Sequence, residues 1–398
     1  MNKFIVGILF AVLGFACTQL KVGDPGVRFN EKLIEENKEN WPQMKIWKTA
    51  GVRGGIPKID KLKIDLILES GSNSKEINTA INQLSSKGGG ILFLKNGSYN
   101  IDRQVDLKSN VILLGESRKG VTCKIHKDID ANNKGINENI PGARDDGNGA
   151  FKFGKGVHNS GIYRLTIEGG WGKPKYDWNV GSKAKNNELP DNENISVWFF
   201  EAYDCWIDDL DILNSADFPV RCIGEHITMR NLFVDGVFNK CGGCHGYFFL
   251  LNDSKYNLVT ACKITHLRHI SIQGSGVEYN VVYDNDFEQE LSFHTGDDGN
   301  NLIENNRIVL PEDMPNSGPN YFAIMGPWAS FHHISSNPNF LYRNKCVERN
   351  HNNTTPWSDE SVVYHGPVEV KPKDHWTNFP ELPESLVPVG GTLYPVEL

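Results

Sequence analysis

The sequence has no apolar run long enough to cross a bilayer as a helix. The stretch from Phe4 to Phe15 is too short for a comfortable span. It also lacks a basic surplus: 41 Lys and Arg face 49 Asp and Glu, a formal net charge of −8. That balance argues against a general nucleic-acid binder, though not against a locally basic cleft for an acidic polymer. No second Cys-x-x-Cys accompanies Cys241 and Cys244 of "KCGGCHG", and a structural zinc site needs about four such ligands. The eight cysteines leave an odd number once Cys17 is set aside, so they cannot all pair internally. Structural, buried thiols are the expectation.

What is present begins with an export signature. A lysine precedes the apolar run, and small Ala16 and then Cys17 follow it. The ending "LGFAC" resembles a bacterial lipoprotein signal, in which the cysteine is lipidated, with plain secretion as the alternative. Four segments are expected: a signal over 1–17, a charged lead-in over 18–70, a main domain over 71–370 and a proline-rich tail over 371–398. An exported monomer is expected, touching a membrane only through an N-terminal lipid anchor.

The main domain opens with a helix signal. Ile77, Ala80, Ile81 and Leu84 recur on one helical face. Ser72, Asn73 and Ser74 offer N-caps, and Gly88–Gly90 ends the pattern. "ILFLKNGSYNI" then reads as two strands around an Asn96-Gly97 turn. Beyond residue 150 a short strand-like unit recurs, as in "HITMRNLFVDG", "VVYDNDF", "NLIENNRIV" and "FLYRNKCVERN", with a central polar or asparagine position. Ile212 to Val234 and Phe287 to Ile308 each span one period of roughly 20–25 residues, the mark of a solenoid. The helix followed by "GGGILFLKNGSYNI" resembles the N-terminal cap and first coil of the pectate-lyase-like superfamily, over about residues 70–370. The resemblance implies an all-β, right-handed parallel β-helix with an N-terminal capping helix. It is nearly silent on substrate, because members include polysaccharide-cleaving enzymes, epimerases, tailspikes and adhesins.

Strands that precede the repeated units, such as "VWFFEA", "FPVRCIG", "GYFFLL", "ELSFHTG" and "YFAIMGP", define a second face by alternation. Trp198, Phe200, Val220, Cys222, Leu291, Phe293, Phe322 and Ile324 are expected inside. Phe199, Glu201, Arg221, Tyr247, Phe249, Glu290, Ser292, His294, Ala323 and Met325 are expected outside, stacked about 4.8 Å apart on successive coils. Aromatic rings mixed with unlike charges suit a sugar-binding groove. The expected substrate contacts are Arg221, Glu201, Phe249 and Trp328, with Trp328 in a groove wall formed by "MGPWASF" beside His332 and His333.

Chemistry on that face has several candidates. "SFHTGDDGNN" places His294 before Asp297 and Asp298, at a loop leaving the sheet. The pair could work with His294 in proton transfer, or simply build an Asp-Gly turn ahead of an asparagine ladder that starts at Asn300 and Asn301. His245 and Tyr247 are further acid–base candidates, as is Glu225. Arg221 could hold a uronate or sulfate in a bidentate grip. Arg268 and His269 read as structural. "DFEQELSFH" resembles the Glu-x-Glu strand of the alginate lyase and chondroitinase B group, which implies calcium held by Glu288 and Glu290. That group uses a lysine base; here His294 stands near the lysine position.

Two enzymatic readings and one binding reading follow. A polysaccharide lyase would cleave a uronic-acid polymer by β-elimination. A glycoside hydrolase would need paired carboxylates, Glu290 with Asp297, Asp298 or Glu201. A non-catalytic β-helix would only bind glycan.

Overall fold

The computed structural model describes residues 29–132, 149–174, 194–240, 245–309, 323–326, 332–347 and 383–396. Residues 1–28, which hold the expected signal and Cys17, lie outside them, as do Cys241, Cys244, Phe322 and Trp328.

Each turn of the chain contributes one strand to each of three parallel sheets. The first sheet takes Val105–Leu107, Gly149–Phe153, the start of Ile195–Ser215, Phe218–Glu225, Tyr247–Leu251, the start of His269–Glu278, Leu291–Ser292 and Ile324–Met325. The second runs from Leu66–Leu68 through Gly90–Leu94 and Thr228–Arg230 to Phe340–Tyr342. The third runs from Gly97–Ile101 to Lys345–Val347. Apolar residues from all three sheets meet in one continuous core.

The capping helix Ser74–Ser85 closes the first coil. Asn73 accepts from the backbone N–H of Lys75 and Glu76, and Glu76 returns a carboxylate to the Asn73 N–H at 2.9 Å. Ile77, Ala80, Ile81 and Leu84 join the core.

The recurrent asparagines have two separate tasks. Corner residues between the second and third sheets adopt left-handed backbone, including Asp284 (φ 56°), Asn305 (φ 58°) and Arg343 (φ 52°). The next residue in each case, Asn285, Asn306 or Asn344, turns inward. Asn285 Nδ2 donates to Asn306 Oδ1 at 2.8 Å, and Asn306 Nδ2 to Asn344 Oδ1 at 2.9 Å. A second ladder passes from Asn257 through Asn280 and Asn301 to Asn339. The side-chain amides satisfy corner N–H and C=O groups that leave the strands.

The outer side of the second sheet is covered by both ends of the described chain. Helices Glu31–Asn37 and Met44–Trp47 pack there with Leu393, Tyr394 and Val396. Trp47 Nε1 donates to the Asn300 carbonyl at 2.7 Å. Glu304 is fully buried under this layer and accepts from Thr392 Oγ1 (2.7 Å), Leu393 N (3.1 Å) and Tyr394 N (2.6 Å). Cys123, Cys205, Cys222 and Cys262 are buried thiols, and Cys346 is buried too.

Candidate functional site

Register fixes which side chains meet on the outer side of the first sheet. Lys152 pairs with Trp198, Trp198 with Arg221, Arg221 with Phe249, Phe249 with Ser271, and Ser271 with Ser292. Trp198 lies between two cations: Lys152 Nζ is 4.2 Å from its ring centroid and Arg221 Cζ is 5.8 Å away. Beside this column stands a second one, in which Tyr247 pairs with His269 and the His269–Ile270 segment abuts Glu290.

The rings form a connected group. Tyr247 is 5.1 Å from Phe249, 4.7 Å from His269 and 6.1 Å from His294, centroid to centroid. His294 is 5.3 Å from His269 and 4.7 Å from His332. His269 Nδ1 bonds the carboxylate of Glu290, and Gln289 Nε2 donates to the other oxygen of that carboxylate. Two coils earlier, His245 Nδ1 bonds Asp217 Oδ2 at 2.7 Å, and the Gly246 N–H donates to Asp217 Oδ1 at 2.8 Å.

Arg221, Tyr247, Phe249, Glu290, Ser292 and His294 therefore share one face, as alternation suggested. The environment differs from the expectation of an open groove. Tyr247 and Glu290 have no exposed surface and His294 has 9 %. The outer side carries its own apolar cluster of Ile195, Trp198, Phe218, Tyr247 and Phe249, so inside and outside are not apolar and polar here.

Burial sets the protonation of the imidazoles. Desolvation, with His269, His332 and Arg268 nearby, holds His294 far below the usual imidazole range. Burial, with Arg268 beside it, also drives His269 toward the neutral form. Burial lowers His332. His294 Nδ1 makes no hydrogen bond among the described residues.

Several placements depart from the sequence reading. Trp198 and Phe200 point outward, while Phe199 joins the core. One residue of register reverses a strand's faces. Glu201 therefore leaves the groove side: it sits at a corner with φ 50° and pairs with Lys155. Glu288 and Glu290 do not share a strand face. Glu288 belongs to the third sheet, where Lys263 Nζ holds it at 2.9 Å, and Glu290 faces His269 before the first-sheet strand. The donor pair read as a calcium site is thus not assembled. Among the described residues no group of three or more His, Cys, Asp or Glu side chains is placed to hold a metal ion.

Asp297 and Asp298 follow the architectural reading of "TGDDGNN". Asp297 is buried and accepts from Gly299 N (2.7 Å), Asn301 Nδ2 (3.2 Å), Asn339 Nδ2 (3.0 Å) and Ser335 Oγ (2.5 Å). Burial raises it to about 6 against those hydrogen bonds. Asp298 accepts from the Gly276 N–H at 3.0 Å. Within this stretch the ladder residue is Asn301, because Asn300 takes the left-handed corner (φ 58°). Among the other candidates, Glu225 is exposed at its turn and His333 is exposed beside half-buried His332.

Sequence reasoning missed His269, Lys152 and the outward role of Trp198. His269 was legible in principle, because "HISIQG" continues the alternation of "GYFFLL" one coil later.

No protein-family model matches the sequence, and no curated protein matches it. Solved structures do match by shape. An exopolygalacturonase from Thermotoga maritima aligns at 15% identity with a TM-score of 0.53, covering 79% of each chain. A polygalacturonase from Erwinia carotovora aligns at 16% identity with a TM-score of 0.39, covering 76% of this chain and 85% of its own. The adhesin PfbA of Streptococcus pneumoniae aligns at 13% identity with a TM-score of 0.43, covering 71% and 81%. At such identities the likeness speaks to fold, and the two lower scores carry no argument. Parallel pairing through three sheets, inward asparagine ladders, the capping helix and the first of these matches agree: the chain folds as a right-handed parallel β-helix.

Proposed function

We propose that this protein degrades an acidic polysaccharide, cleaving a uronic-acid polymer by β-elimination at the outer face of the first sheet. One observation carries the reading. A neutral imidazole, His294, stands in a ring cluster with Tyr247 and His269, on the same face as the guanidinium of Arg221. The T. maritima neighbour named as an exopolygalacturonase favours a polymeric sugar acid as the substrate class.

In β-elimination a base takes the proton from C5. The electron pair forms the C4–C5 double bond, the C4–O bond breaks, and the leaving oxygen gains a proton. Arg221 pairs with the C5 carboxylate, assisted by Lys152 across Trp198, and so acidifies the C5–H bond. His294, which lies beside Tyr247 and His269 on this face, accepts the proton; the burial that keeps it neutral also weakens it as a base, so the opening that admits the sugar must restore its basicity. Tyr247 or His245 returns one to the leaving oxygen. No step passes through calcium. Because these side chains are buried, binding a sugar there requires a rearrangement that opens the face.

Hydrolysis is less well supported. The carboxylates that would partner Glu290 are engaged elsewhere: Glu201 with Lys155, Asp297 with the asparagine ladder and Asp298 with Gly276. Incubation with alginate, polygalacturonate and chondroitin separates the readings. The expected result is ultraviolet absorbance from an unsaturated product. New reducing ends without that absorbance would establish hydrolysis instead. Glycan binding with neither signal would leave a binding protein.

A further inference from the structure

The first sheet carries two carboxylate–imidazole pairs, Glu290 with His269 and Asp217 with His245; the reaction above leaves the proton donor open between Tyr247 and His245 and gives Asp217 no role. In the second pair, Asp217 is fully buried just before strand Phe218–Glu225, and His245 is half-buried just before Tyr247–Leu251. His245 Nδ1 lies 2.7 Å from Asp217 Oδ2 and 3.2 Å from Asn239 Nδ2, and the shorter contact, to the carboxylate, is the one that calls for a proton on Nδ1. Asp217 is itself fixed by the Gly246 N–H at 2.8 Å, so the carboxylate cannot swing away without breaking that bond.

The pair is continuous with the substrate-facing column. The His245 ring centroid is 6.3 Å from that of Phe218, and Phe218 lies 6.0 Å from Phe249 and 5.6 Å from Arg221 Cζ. Tyr247, the other candidate donor, is fully buried, with its ring packed edge-on against Phe249 and His269. A phenol so enclosed is poorly placed to follow a leaving oxygen. An imidazole at the edge of the layer is better placed.

We propose that Asp217 is a positioning residue: by accepting from Nδ1–H of His245 it fixes the imidazole's tautomer and makes His245, not Tyr247, the proton donor to the leaving oxygen. This inference rests on the β-elimination reading and deepens it. A carboxylate on Nδ1 places the proton there, and Nε2, on the opposite edge of the ring, becomes the atom that exchanges a proton. The step balances. Nε2–H of the imidazolium protonates the departing C4 oxygen, leaving neutral imidazole with its proton on Nδ1, and solvent restores the imidazolium.

The test combines a spectroscopic and a kinetic arm on the whole protein. Nitrogen NMR of the wild-type imidazoles reads the tautomer of neutral His245; a proton on Nδ1 is expected, and a proton on Nε2 overturns the proposal. Asp217→Asn removes the charge at nearly constant volume. It should move the tautomer and lower kcat by on the order of 100-fold with KM little changed. Because Asp217 also holds the Gly246 N–H, His245→Gln serves as a second variant that leaves that bond in place, and it should show the same kcat loss. Either variant, folded and turning over at the wild-type rate while His294→Ala is inactive, overturns the proposal. A wild-type protein that yields no unsaturated product from any uronate polymer overturns the β-elimination reading instead, and the tautomer measurement still decides the Asp217–His245 assignment.

Discussion

At the residue scale, burial governs what the polar groups can do. His294 is held neutral by desolvation first and by neighbouring His269, His332 and Arg268 second. Replacing it with alanine should lower kcat by roughly 10²–10⁴-fold if it is the base. Steady-state turnover on the responsive glycan checks this, and full activity in a folded His294→Ala protein would remove the residue from the mechanism. The asparagine ladders are the structural counterpart. Asn306 accepts from the backbone and side chain of Asn285 and donates to Val282 O, Glu304 O and Asn344 Oδ1. Asn306→Ala strands several of these groups in the interior and should cost roughly 2–3 kcal/mol. Denaturant unfolding measures the loss; an unchanged midpoint would mean that water replaces the amide at no cost.

The elements that close the outer side of the second sheet depend on one carboxylate. Burial lifts Glu304 to about 7, against hydrogen bonds from Thr392 and from the backbone of Tyr394 and Leu393, and against nearby Arg343. A carboxyl group whose folded value lies above its ordinary 4.5 gives stability that is complete at acid pH and is lost as pH rises through the folded value. Raising pH from about 5 to about 8 should therefore cost the wild type on the order of 3 kcal/mol through this group. Asp297, raised to about 6, acts in the same direction. Glu304→Gln should show a shallower decline, read from unfolding free energies across that range. Equal slopes in the two proteins would show that Glu304 does not titrate there. None of this was visible beforehand, because the lead-in and tail look irregular in sequence. Trp41, Trp47 and Tyr394 gain their roles only by meeting Phe340, Asn300 and Tyr283 across the solenoid.

Over the whole molecule, the separation of Glu288 from Glu290 bears on cofactors. One is tied to Lys263 on the third sheet and the other to His269 on the first. Excess EDTA should therefore leave turnover unchanged, and loss of activity restored by calcium would show that a different donor set binds the ion. The sequence by itself determined the solenoid, its period, the capping helix and the alternation that brings Arg221, Tyr247 and His294 to one face. Those features are local: a helical stripe, a turn signal and period-two strands repeat within a few residues. Tertiary structure decided the rest. The reversal of Trp198, the inclusion of His269, the pairing of Asp217 with His245 and the structural employment of Asp297 all depend on how one coil registers on the next. That register is set by packing between residues twenty or more positions apart, which no local pattern encodes.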